Sequence, residues 1–213
     1  MKLAIYGAGG FGKEVACLVN RINANGGDWQ FIGFFDDTKP IGTKVSIYGD
    51  VLGGMDELTA IDGPLAVAIA INDNKVVRRI RENLTNANIT FPNLIDPSSF
   101  IVDERTLKMG EGNIVQNNCM ISCDVTIGSF NLINDHVVVG HDNVIGDFNG
   151  IMPGAHLSGS VTIGNSNLLG VASVVLQGIR MGNGITLAAN SVLMTQPKSN
   201  CTYLGVPAKR FDF

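Results

Sequence analysis

His141 and Asp142 stand side by side, an imidazole with a carboxylate neighbour. An acid in that position raises imidazole basicity and fixes its tautomer, which is the chemistry of a supported general base. His136 and His141 also form an H-x4-H pair, and His156 completes the set of three histidines. Zinc would need a third protein ligand and an open position, and no histidine precedes His136. At the other end of the chain, Gly7 to Gly12 reads GAGGFG, a G-x-G-x-x-G pattern between an apolar run and a helical pattern. In that context backbone N–H groups at a helix start bind phosphate, although a tight strand–helix turn would look alike. Asp36 and Asp37 close the second apolar run. An acid there accepts hydrogen bonds from ribose hydroxyls, unless the segment is an ordinary acidic loop. A solvated surface histidine is likewise the plain alternative for each imidazole.

The elements that must hold these residues divide near residue 100. Residues 1–96 alternate apolar runs with helical patterns. Leu3–Tyr6 precedes the glycines, and Lys13–Asn23 places Val15, Leu18, Val19 and Ile22 on one helical face. Phe31–Phe35 and the wholly apolar Leu65–Ile71 read as further strands, the latter buried on both faces. Asn72, Asp73 and Asn74 can cap a following helix, and Phe91–Ile95 is expected as a last strand. This alternation predicts a parallel sheet with helices against it, a Rossmann-like α/β domain. It has about half the strands of a dinucleotide fold, which suits one nucleoside diphosphate carrying a sugar better than NAD.

The second half has another period. Every sixth residue from Met109 to Leu193 is apolar, fifteen in succession without an insertion. Every third of these is followed by glycine: Gly110, Gly128, Gly146, Gly164 and Gly182. Six residues make a flat strand and a turn, and three such units close a triangular coil of eighteen. The pattern predicts a parallel β-helix of five coils over residues 97–194, roughly 24 Å tall, with glycines at one corner where positive φ is favoured. Residues 195–213 are placed to cover its upper edge.

Composition narrows the function. Lys and Arg total 15 against 19 Asp and Glu, a net charge of −4, which argues against a nucleic-acid surface. No apolar run reaches the ~18 residues of a membrane span, and the glycines end the first apolar stretch too early for a signal peptide. The cysteines Cys17, Cys119, Cys123 and Cys201 show no paired CxxC spacing, so a reducing cytoplasm is expected. From Met109 to Leu193 there are five acids and one base, Arg180, so few charges that the outer faces are expected to pack against copies of the chain.

Together GAGGFGKEV, GFFDD, AIAINDN, NLIDPSS, GHDNVIGDF, PGAHLSGSVTIG and GVPAKR resemble, in order and over nearly the whole chain, a family of bacterial sugar acetyltransferases. These modify nucleotide-linked amino sugars, as in bacillosamine and perosamine synthesis, and sialic-acid O-acetyltransferase-like proteins are relatives. The resemblance implies a nucleotide-sugar domain, a left-handed β-helix, a homotrimer, acetyl-CoA as donor and no metal. It implies His141 as catalytic base, Asp142 as its supporting acid and Asn134 as a polar active-site residue. It assigns Gly9, Gly10, Phe11, Asp36, Asp37 and Asn72 to the nucleotide sugar, and Gly150, Val171 and Ala189 to acetyl-CoA, largely through backbone. Phe11 and Gly150 stand where the family commonly has histidine.

The expected reaction is direct acetyl transfer from acetyl-CoA to the amine of a nucleotide-linked, UDP-4-amino sugar. Neither a membrane nor a nucleic acid is an expected partner. Three alternatives keep the fold: an O-acetyltransferase, a non-catalytic nucleotide-sugar-binding trimer, and a metal enzyme, since H-x4-H also resembles paired ligands of the β-helical carbonic anhydrases.

Overall fold

The computed structural model describes residues 1–211, so Asp212 and Phe213 of the C-terminal tail lie outside it. It comprises two compact units, Met1–Leu94 and Ile95–Phe213.

In the first unit, β1 (Lys2–Tyr6), β2 (Gln30–Phe35), β3 (Val51–Gly53), β4 (Leu65–Ile69) and β5 (Ile89–Thr90) form one parallel sheet in the order β3-β2-β1-β4-β5. Three helices connect them: α1 (Gly10–Ala24), α2 (Met55–Thr59) and α3 (Asn74–Asn83). All five residues of β4 are buried, as a central parallel strand requires. Helix α1 turns Val15, Ala16, Leu18 and Val19 inward. Helix α3 starts at Asp73, whose carboxylate accepts the Lys75 and Val76 N–H groups, an N-cap that satisfies two otherwise orphaned donors. Strand β3 and helix α2 have no counterpart in the sequence expectation. The expected last strand over Phe91–Ile95 is corrected: the sheet ends at β5, and Leu94–Ile95 joins the first rung of a sheet of the β-helix.

The second unit is a parallel β-helix with three flat sheets. Partner residues are eighteen apart, as in Met120, Val138, His156, Val174 and Val192. The inward residues Ile121, Val139, Leu157, Val175 and Leu193 form one stack, and the other two sheets supply similar stacks. Of the fifteen hexad positions, only Met109 at the base is not buried. The lowest coil begins earlier than the hexads suggest. Phe100 pairs with Met120 twenty residues on, the extra two falling beside the turn that Asp103 closes by accepting the Arg105 N–H. At the top, Thr202–Leu204 pairs with Thr186–Leu187, and Lys209–Phe211 folds back on it antiparallel. Tyr203 and Ala208 are buried against the core.

The glycine column is corrected in its reason. Gly110, Gly128, Gly146, Gly164 and Gly182 are not among the positive-φ residues. A Cβ at Gly128 or Gly146 would lie 2.7–2.8 Å from the glycine backbone one coil on, so close coil approach selects glycine there. Positive φ falls elsewhere, at every sixth residue from Gly112 to Asn190, with φ between 54° and 73°. Ten of those fourteen residues are not glycine, and Asn, Asp and His, which tolerate this region best among them, fill five. A second column runs inside the corner. Asn113, Asn131, Asn149 and Asn167 are buried, and each side-chain oxygen accepts the backbone N–H of the residue one coil on.

Candidate functional site

Val139 points into the prism, so the chain turns outward at Gly140 and presents His141 at the next corner. His141 Nδ1 lies 2.7 Å from Asp142 Oδ2, and both side chains are about half exposed. Asp142 takes the left-handed turn position, φ 57°, which swings its carboxylate back toward the preceding imidazole. Assigning the Nδ1 proton to this contact leaves the Nε2 lone pair free to accept a proton. The corner is held by Asn143, fully buried, whose amide donates to the carbonyls of Gly140 at 2.7 Å and Ser158 at 2.9 Å. Sequence reasoning missed Asn143. Its signal is a buried-type amide in a corner column, eighteen residues below Val161, whose N–H it accepts.

The remaining β-helix residues lie elsewhere. Asn134 follows inward Ile133 at the preceding corner of the same coil, with the strand Val138–Val139 between it and His141. Its side-chain oxygen accepts the Asp135 N–H and its carbonyl accepts from Cys119. Val171 and Ala189 stack one coil apart at this same corner column, both exposed, with the Asn190 N–H donating to the Val171 carbonyl. Gly150 pairs with Leu132 and Leu168 on the adjacent sheet. A single chain therefore does not bring Asn134, Val171 or Ala189 to the His141 corner. His136, 3.1 Å from Asp135, sits at the Asn134 corner, and His156 is on an outer sheet face, so the H-x4-H pair does not converge. Burial pushes the Cys119 thiol up to about 11, far from a ready nucleophile.

In the first unit the glycine turn has three distinct roles. Gly7 has φ 112° and lies against the Ala70 carbonyl. A Cβ at Gly12 would collide with the Gly7 carbonyl, so the third glycine permits helix and turn to pack. Nothing lies within 4 Å of a Cβ at Gly9 or Gly10, which leaves the backbone at the start of α1 open to a ligand. These are the demands of a phosphate-binding turn, and α1 has no side-chain cap and no acid in its first turn.

The other predicted residues stand beyond the same strand ends. Asp36 and Asp37 follow β2, and Asn72 follows β4 and is exposed. Between β2 and β4, the order reverses at β1, the switch point where open parallel sheets bind ligands. Phe11 is partly buried in the first turn of α1. Asp36 and Asp37 line a cavity of about 320 Å³ with Lys39, Ile41, Met55 and Glu57. Both acids also hold the scaffold. Asp36 accepts the Ala8 N–H at 2.8 Å, and Asp37 accepts the Tyr6 hydroxyl at 2.5 Å and the Met55 N–H at 2.7 Å. Burial, followed by the Asp37 carboxylate, pushes the Tyr6 hydroxyl well above its ordinary range. Partial burial raises the Asp36 pKa, but the Thr38 hydroxyl, the Ala8 and Thr38 N–H groups and the Lys39 charge outweigh it and hold it below the usual carboxylate value. Tyr6 was not singled out from sequence, since it reads as one more apolar strand residue.

Residues 2–84 match the PglD N-terminal domain family. No curated protein matches the chain. Among solved structures, the chain is similar to the acetyltransferase domain of PglB from Neisseria gonorrhoeae FA1090 in complex with acetyl coenzyme A. Identity is 28%, with 99% of this chain and 98% of that chain covered, at a TM-score of 0.87. WeeI from Acinetobacter baumannii AYE gives 27% identity, 99% and 100% coverage and a TM-score of 0.88. PerB from Caulobacter crescentus, in complex with CoA and GDP-perosamine, gives 25%, 100% and 98%, and 0.81. The chain thus carries a PglD-type N-terminal domain and, across both units, resembles bacterial sugar acetyltransferases of the bacillosamine and perosamine type.

Proposed function

We propose that the chain is an acetyl-CoA-dependent N-acetyltransferase acting on a nucleotide-linked amino sugar, with a UDP-4-amino sugar as the expected acceptor. The observation that carries the reading is the exposed His141–Asp142 pair, 2.7 Å apart, in a chain that also has an open glycine turn at a sheet switch point. The full-length likeness to structures holding acetyl-CoA, and CoA with GDP-perosamine, supports the same chemistry.

The sugar amine, free of its extra proton, attacks the thioester carbonyl carbon. His141 Nε2 takes the amine proton as the C–N bond forms, and Asp142 stabilises the resulting imidazolium. Backbone N–H groups hold the tetrahedral oxyanion. The C–S bond then breaks, and the imidazolium returns its proton to the departing CoA thiolate. Asp36, Asp37, Asn72 and the turn at Gly9, Gly10 and Phe11 hold the nucleotide sugar. Gly150, Val171 and Ala189 hold acetyl-CoA, with Val171 and Ala189 exposed at their corner and Gly150 buried in the adjacent sheet.

The active assembly is a homotrimer. Asn134, Val171 and Ala189 occupy one corner of the prism and His141 the next, so packing one copy's corner against another's completes the site. The sparse charge of the outer faces favours that packing.

The test is release of CoA thiol from acetyl-CoA with UDP-, dTDP- and GDP-linked 4-amino sugars, alongside sialic acid and bicarbonate. Turnover with one amino sugar is expected. Turnover confined to a hydroxyl acceptor would replace N- with O-acetylation. Nucleotide-sugar binding without acetyl-CoA binding would identify a scaffold.

A further inference from the structure

We propose that Gly159 is a positioning residue for His141, its missing side chain being the space in which the imidazole is held. The inference rests on the reading of His141 as the base. Residues 141 and 159 are one coil apart in the same corner column, and the Ser160 N–H donates to the His141 carbonyl at 2.8 Å. A Cβ at Gly159 would lie 2.5 Å from His141 Nε2 and 2.6 Å from Cε1, with Cδ2 next at 3.2 Å. Its three nearest neighbours are therefore all imidazole atoms.

A positive φ does not explain this glycine. Gly159 is absent from the positive-φ residues, whereas nearby Gly154 and Gly178 have φ 69° and 73°. Gly140 is different again, since its Cβ would meet the Ser158 and Gly159 backbone at 2.8–2.9 Å. The coil spacing at this corner is fixed by Asn143, which bonds the carbonyls of both Gly140 and Ser158. The imidazole is a soft element between these two stacked turns. Asp142 fixes it at Nδ1, and the gap at Gly159 admits its Nε2 edge. A methyl group at 159 would displace the ring by rotation, which is cheap for folding. It would also move the proton-accepting nitrogen and break the Nδ1 contact, and misplacement of about 1 Å costs on the order of 100-fold in rate.

The experiment compares Gly159→Ala, His141→Ala and the double variant in trimeric protein. Each is followed by kcat, thermal midpoint and the imidazole signals of 13C-labelled histidine, which has only three residues to resolve. Gly159→Ala is expected to keep the thermal midpoint, lower kcat about 10- to 100-fold and shift the signal that His141→Ala removes. In the His141→Ala background the same substitution is expected to change neither rate nor stability, since the atoms it meets are gone. An unshifted His141 signal overturns the inference, whatever the rate. So does a further loss of rate or stability in the double variant, which also decides the matter if the single variant folds poorly. Full activity of His141→Ala would instead remove the base assignment itself.

Discussion

Asp36 Oδ2 accepts the Ala8 N–H at 2.8 Å, so one carboxylate at the end of β2 fastens the glycine turn after β1. The Ala8 hydrogen bond, one of those that hold its pKa low, exists only in the folded chain, which makes stability depend on acid. The contribution is complete above the unfolded aspartate pKa of about 3.9 and is lost as pH falls through the lower folded value. Denaturation midpoints measured across that window should show an acid-sensitive increment in the wild type. Asp36→Asn should lack it, and parallel acid profiles for the two proteins would refute the assignment.

Two glycines in the same turn should respond oppositely to alanine. Gly12→Ala places a Cβ on the Gly7 carbonyl and should destabilise the N-terminal unit by on the order of 2–4 kcal/mol, read by urea unfolding. Gly9→Ala meets nothing within 4 Å and should fold normally. It should nonetheless weaken nucleotide-sugar binding at least tenfold by calorimetry, because the added methyl occupies the approach to the helix start. Equal affinity would place the phosphates elsewhere.

His141→Ala should lower kcat by about 10²–10⁴ while acetyl-CoA binding stays within twofold. Asp142→Asn keeps a hydrogen-bonding partner at 2.7 Å but loses its charge, so its loss should be smaller than that of His141→Ala. Steady-state kinetics of both variants give the order, and a reversed order would make Asp142 more than a support.

The β-helix was legible because burial there has a strict period. Fifteen apolar residues at one spacing admit a single reading, and all but Met109 are buried in the core. The first coil was hidden by its two extra residues near Asp103, which break a preset series. Strand β3 and α2 were missed because three- and five-residue elements carry too little pattern. The outward placement of His141 follows from its offset to inward Val139, whereas the closeness of Gly159 to its ring is invisible until 141 and 159 are stacked. The glycine column shows how a correct pattern can carry a wrong cause: turns are the common reason for glycine, and here the reason is crowding between coils.

The buried asparagines make a further prediction. Asn149 Oδ1 accepts both the backbone and side-chain N–H groups of Asn167, and its own amide donates to Asn131 and to the Gly164 carbonyl. Asn149→Ala would strip two buried donors of their acceptor at about 1–3 kcal/mol each. A loss on the order of 2–4 kcal/mol in urea unfolding is expected, and a change under about 0.5 kcal/mol would mean the ladder is not load-sharing.

An uninterrupted hexad turns the prism into a screw of fixed pitch. Lengthening it by six residues below His141 would rotate everything above by a third of a revolution and carry the imidazole to another corner. Eighteen residues would lift it by one pitch and keep its bearing. Length change compatible with the chemistry is therefore quantised. The twenty-residue lowest coil obeys this logic, because its irregularity sits beneath the coil that carries His141 and leaves the thread above it true.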